Sequence, residues 1–153
     1  MKILLPKNPY SLRSWTLVGI QAASLLYLSL SAPMRTIRID LQVWQLSGLF
    51  LALAGLVRFN RHTFSIFPEP KPTGILITSG IYSYIRHPIY AGLLVLYGTL
   101  LIQFFSWPRL LILLVLATVF VLKILMEEEL LKGKFPEYLD YQQKTNRLVP
   151  FLW

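Results

Sequence analysis

Four apolar runs dominate this chain. Ser14 to Met34, Leu41 to Val57 and His87 to Pro108 carry no charged side chain, and Leu110 to Met126 carries only Lys123. A helix needs about 20 residues to cross a hydrocarbon core of ~30 Å, so each run is span-length or close to it. Mean hydropathy of +0.55 with 14% charged residues is too oily for a water-soluble fold of 153 residues,. The sequence therefore predicts an all-α, polytopic membrane protein. It has four transmembrane helices, the last two forming a helical hairpin, followed by a cytoplasmic C-terminal helix and tail. Ser14 to Met34 reads as a retained anchor, because no small-residue cleavage site follows a short apolar core.

The net charge of +8 invites comparison with nucleic-acid binders. The basic residues lie at span ends, however, and no contiguous basic stripe is visible, so a nucleic-acid partner is not expected. One side holds Lys2, Lys7, Arg13, Arg58, Arg61, Lys71, Arg86, Lys132, Lys134, Lys144 and Arg147, and the other only Arg35, Arg38 and Arg109. The positive-inside rule then places both termini and the middle loop in the cytoplasm. This fits an inner membrane in a bacterium or the endoplasmic reticulum in a eukaryote. With no cysteine and two histidines, disulfide chemistry is excluded and no metal is expected,.

The chain reads as one domain over 1–153. Residues 1–58 are scaffold, and 59–153 hold a cofactor-binding loop, the hairpin and the tail. Gly19 with Ala23, and Gly48 with Ala52 and Gly55, form small-residue stripes that let helices approach closely. FPEPKPTG, from Phe67 to Gly74, has three prolines and predicts a stiff extended loop,. In FSWPRL, a turn centred between Trp107 and Pro108 predicts an antiparallel hairpin that sets Pro88 level with Glu127 and His87 level with Glu128.

That alignment has chemical meaning. Pro88 suits the first turn of a helix, whose N-terminus carries free N–H groups and about half a positive charge. With Arg86 and His87 it predicts an anion site. Glu127, Glu128 and Glu129 sit at the end of the opposing helix, where the helix dipole disfavours them. Lys123 is expected to offset Glu127 one turn away or to snorkel toward the interface. Taken singly, Arg86 suits a lipid-phosphate anchor and the glutamates a solvated helix end. Together they suit a zwitterionic or cationic ligand.

The run GIYSYIRHPIYAG, followed by EEELLKGKF, YLDY and RLVPF, resembles the integral-membrane methyltransferase superfamily. That superfamily includes isoprenylcysteine carboxyl methyltransferases and phospholipid N-methyltransferases. The resemblance runs from roughly Leu53 to Phe151. It implies S-adenosylmethionine as methyl donor and a lipophilic acceptor, an isoprenylcysteine-type carboxylate or a phospholipid amine, entering from the bilayer at the cytoplasmic face. Matched residue by residue, it implies cofactor-binding roles for Gly80, Tyr82, His87, Pro88, Tyr90, Gly92, Glu127 and Glu128. His87 takes the donor's carboxylate and Glu127 or Glu128 its ammonium. Arg86 or Arg147 orients an anionic acceptor, and Arg61 is a possible contributor. Tyr84 is better read as a membrane anchor. Leu131 and Phe135 also match the pattern, but Phe135 to Tyr138 is one residue shorter than the usual spacing and leaves Tyr138 and Tyr141 without assigned roles. No glycine-rich nucleotide loop is present. Two alternatives are a nicotinamide-dependent reductase of the sterol-reductase type, which typically has an acidic residue where Leu93 stands, and a non-catalytic subunit of the same fold.

Overall fold

The computed structural model describes residues 10–32, 38–59 and 63–148. Five α-helices follow in order: α1 (Leu12–Ser31), α2 (Ile39–Leu56), α3 (Pro88–Gln103), α4 (Trp107–Lys134) and α5 (Tyr138–Lys144). A 3-10 turn at Gly80–Ser83 precedes α3. Among the described residues there is no strand, only an isolated parallel bridge between Ile85 and Asn146.

Helices α1 to α4 alternate in direction. At one end Glu69 meets Ser11 and Ser14 at the start of α1, and Arg86 before α3 meets Glu128 near the end of α4. At the other, Arg109 at the start of α4 binds the carbonyl of Ser31, and Gln45 binds Gln103 at 2.7 Å. Two helices, α2 and α4, are long and apolar enough to cross a membrane. With 16 residues, α3 reaches about 24 Å at 1.5 Å per residue and is shorter than the run from His87 predicts,. In α1, length suffices but Ser14, Gln21, Ser24 and Ser29 dilute its apolar character.

The chain turns earlier than predicted. Phe104 to Ser106 link α3 to α4, while Trp107 and Pro108 already belong to α4. Ser106 caps that helix by accepting from the Arg109 amide at 3.4 Å, and proline is tolerated in a first turn because its missing N–H has no intrahelical role,. The hairpin partners are less intimate than the connectivity implies, for α3 packs chiefly along α2 and α4 along α1.

The α2–α3 seam follows from its small residues. A Cβ on Gly48 would lie 2.7 Å from the Gly92 carbonyl oxygen and from the Leu96 nitrogen, both backbone atoms. Gly48→Ala should therefore force the helices apart and cost about 1–3 kcal/mol, read as a lower thermal midpoint in detergent. The predicted stripe on α1 is not used. Gly19 and Ala23 face outward, and Ser14, Leu17, Ser24 and Leu28 are buried instead. Leu28 joins Tyr97, Leu116 and Phe120 in the core, and Tyr97 reaches Ser29 at 2.7 Å to tie the two helix pairs together.

Candidate functional site

The site grows from the chain entering α3. Gly80, at φ +68°, adopts a left-handed backbone that favours glycine,. Its turn sends Tyr82 inward, edge-on to Phe59 with centroids 5.6 Å apart, its hydroxyl 3.4 Å from the Gly55 carbonyl. Arg86 and His87 follow, both buried. Their backbone amides are not free. The Arg86 N–H donates to the Asn146 carbonyl at 2.8 Å and the His87 N–H to that of Arg147 at 3.0 Å. The segment after α5 thus lies along the entrance to α3, bridged to it between Ile85 and Asn146.

Glu128 is the hub of this arrangement. Its carboxylate is almost fully buried and accepts from Arg86 Nε at 2.8 Å and Arg147 Nε at 3.0 Å, with His87 Nε2 at 3.4 Å. Arg86 also donates through Nη1 to the carbonyl of Gln142 at 3.0 Å, to the hydroxyl of Thr145 at 3.2 Å and to the carbonyl of Thr145. Two arginines therefore compensate the acid that the helix dipole disfavours, and Arg86 is fixed on several sides.

Glu127 is placed differently. It is partly exposed and lies 3.8 Å from His87 Nδ1. Lys123 does not snorkel. It is buried, donating to Gln21 Oε1 and, at 2.8 Å, to the Ile66 carbonyl, and it lies 5.5 Å from the centre of the Tyr90 ring. His87, Tyr90 and Phe120 stack in a column with centroid spacings of 5.7 and 4.6 Å.

These groups surround a cavity of about 1000 Å³ measured to its open mouth. Arg86, His87, Tyr82, Tyr90 and Glu127 line it, as do Tyr138 and Tyr141 from α5, Leu131 from α4, Phe135 just beyond that helix, and Gln21 from α1. The stiff loop predicted from its prolines forms a wall from Phe67 to Lys71 and is pinned by Lys134 to the carbonyls of Lys71 and Pro72. Burial raises the Tyr82, Tyr138 and Tyr141 hydroxyls above the ordinary phenol range, with the Glu127 charge adding to it at Tyr82 and the Glu128 charge at Tyr138,. Tyr141 donates to the Tyr82 carbonyl at 2.7 Å, whereas the buried Tyr138 hydroxyl has no hydrogen-bond partner.

The structure thus brings Arg86, His87, Tyr82, Tyr90 and Glu127 around one cavity. Glu128 and Arg147 stand behind that wall. Gly80 lies under the Arg58 guanidinium, Pro88 lies against Gly55, and Gly92 against Gly48 and Ala52, so these three shape the backbone without lining the cavity. Tyr84 is exposed. Arg61 and His62 lie outside the described residues. Sequence reasoning missed Glu69, Tyr138 and Tyr141 as wall residues. A signal existed for the tyrosines, because a spacing of three on a helix puts both on one face. Among the described residues no group of three or more His, Asp or Glu side chains could hold a metal ion.

Among the described residues the chain is helical, with outward apolar flanks and a charged, aromatic-lined cavity at one end of its bundle. The family model described as phospholipid methyltransferase matches residues 40–138, and the chain belongs to that family. The match runs from α2 to the first residue of α5, whereas α1 and the tail that clamps Arg86 fall outside it. Comparison with curated proteins gives no match. Family membership implies a methyltransferase associated with the membrane.

Proposed function

We propose that the protein transfers a methyl group from S-adenosylmethionine to a lipophilic acceptor at the cytoplasmic face of a membrane that it crosses four times, with both termini cytoplasmic. The observation that carries the reading is the division of labour between neighbouring glutamates: Glu128 is neutralised by Arg86 and Arg147, while Glu127 faces the cavity. A partly exposed carboxylate beside a buried imidazole suits an ammonium and a carboxylate on one ligand.

The residues fit the donor. Glu127 would hold its ammonium and His87 its carboxylate, and the unpartnered Tyr138 hydroxyl supplies a further donor. Phe59, Phe64 and Tyr82 offer flat apolar faces for a purine. When bound, S-adenosylmethionine supplies an electrophilic methyl group on a sulfonium. The chain's own contribution is to fix ligands in a water-poor site, where positioning accounts for much of a displacement barrier. Arg86 is held by Glu128, Gln142 and Thr145. These contacts favour a positioning role for it, and for Arg147, over the acceptor-orienting role read from sequence. The acceptor approaches through the apolar side of the cavity, and the nicotinamide reading draws no support from the family match.

Equilibrium dialysis of the protein in phosphatidylcholine nanodiscs should give saturable binding of labelled S-adenosylmethionine, displaced by S-adenosylhomocysteine and not by NADPH. Absence of saturable binding, or displacement by NADPH, overturns the proposal.

A further inference from the structure

Lys123 is a buried ammonium that the donor site as described leaves without a task. It lies in α4 at 1% exposure, and an ionisable group buried in a spanning helix is costly unless something answers its charge,. Its contacts do not. Gln21 Oε1 and, at 2.8 Å, the Ile66 carbonyl are neutral acceptors, and the Tyr90 ring at 5.5 Å offers only a π face,. An ammonium has three N–H groups, so one is left over. Among the described residues Lys123 belongs to no ion pair, and Glu127 and Glu69 attract it only through space. Glu127 stands four residues on, the spacing at which a lysine and a glutamate normally close on each other. Here the pair stays open, with Glu127 lying toward His87 at 3.8 Å. Lys123 and Glu127 both border the cavity. A cation and an anion one helical turn apart, neither spent on the other, match a zwitterion that carries both charges on one carbon.

We propose that Lys123 is the counter-ion for the carboxylate of the donor's amino-acid head group, its third N–H meeting a carboxylate oxygen while Glu127 takes the ammonium. The inference rests on the S-adenosylmethionine reading and deepens it by adding a recognition residue beside His87. The charged side chains on the cavity are Lys71, Arg86, His87 and Lys123 against Glu69 and Glu127. The other cations do not replace Lys123. Arg86 is committed to Glu128, Gln142 and Thr145. Both ring nitrogens of His87 face glutamates, Nδ1 at 3.8 Å from Glu127 and Nε2 at 3.4 Å from Glu128, so any positive charge on the ring is shared before a ligand arrives. Lys71 stands at the end of the proline-rich wall and has an interaction of its own. Glu69, held by Ser11 and Ser14, would repel a carboxylate on this wall, and the Lys123 ammonium offsets that repulsion.

The test is equilibrium dialysis of the whole protein in phosphatidylcholine nanodiscs, comparing S-adenosylmethionine with S-adenosylmethioninamine. That decarboxylated form keeps the sulfonium, the ammonium and the nucleoside. The wild type should bind the carboxylate-bearing ligand about tenfold or more tightly, as expected for one hydrogen bond between charged groups. Lys123→Gln should erase the preference by weakening S-adenosylmethionine while the decarboxylated form binds as before or better. Lys123→Arg, which keeps the charge, should retain most of it. Lys71→Met removes the same charge from the same cavity and should also retain it. Equal binding of the two ligands by the wild type overturns the assignment and needs no variant to fold. So does an equal collapse of the preference in Lys71→Met, or a Lys123→Gln protein that weakens both ligands alike, the mark of a purely structural lysine. Phosphatidylserine added to the nanodisc should compete no more than phosphatidylglycerol of equal charge; stronger competition would place the amino-acid head group on a lipid and overturn the assignment. If neither nucleoside binds, the donor reading fails and this one with it, whereas S-adenosylmethionine binding without a carboxylate preference sinks the role of Lys123 alone.

Discussion

Glu128→Ala should lower the unfolding free energy by about 3–5 kcal/mol, the cost of removing one member of a buried ion cluster and leaving its partners uncompensated. The magnitude comes from the geometry. The Glu128 side chain is 2% exposed, and those of Arg86 and His87 are 7% and 5% exposed. Without the carboxylate, the Arg86 guanidinium remains in a poorly solvated place with only the carbonyl and hydroxyl oxygens of Gln142 and Thr145. The segment after α5 loses its tie through Arg147 at the same time. Two readouts follow: a lower thermal midpoint in detergent, and faster proteolysis beyond Lys144 at temperatures where the helices still hold. Glu128→Gln, which keeps the shape and part of the hydrogen bonding, should fall between. An unchanged midpoint in Glu128→Ala would mean that the cluster contributes nothing net.

Glu127→Gln should do the opposite: leave stability close to that of the wild type and weaken S-adenosylmethionine binding by about 30-fold or more. Removing one partner of a hydrogen-bonded charge pair costs about 2–5 kcal/mol in binding, and each 1.4 kcal/mol is a factor of ten. Glu127 has no arginine partner among the described residues, and its nearest cationic group is His87 at 3.8 Å, so its charge bears less on the fold than that of Glu128. Glu129 provides the control, since its side chain is 80% exposed and points away to Lys132, and Glu129→Gln should bind as the wild type does. Equal loss in the Glu127 and Glu129 variants would sink the assignment of Glu127 as the ammonium partner.

Much of this arrangement is legible in the sequence, for identifiable reasons. Helices announce themselves through uncharged length, and the short link between α3 and α4 leaves no option but reversal, so the meeting of Arg86 and His87 with the glutamates could be read from spacing. The close α2–α3 approach was visible in Gly48, Ala52 and Gly55 because small residues at helical spacing have a local geometric meaning. What spacing could not separate was Glu127 from Glu128. Adjacent positions on a helix differ by about 100° in direction, and only the surrounding elements decide which one looks into a cavity. Tail pairing with Arg86 and His87 was equally hidden, because a bridge between Ile85 and Asn146 is a non-local contact with no periodic signature. The same holds for Lys123, whose partners Gln21 and Ile66 come from a distant helix and a loop.

The dependence of Arg86 on Asn146 and Thr145 also orders events during synthesis. A ribosome that has already delivered the four long helices has still not delivered the atoms that settle this arginine. Until those peptide units emerge from the exit tunnel, the entrance to α3 and the end of α4 lack the segment that joins them.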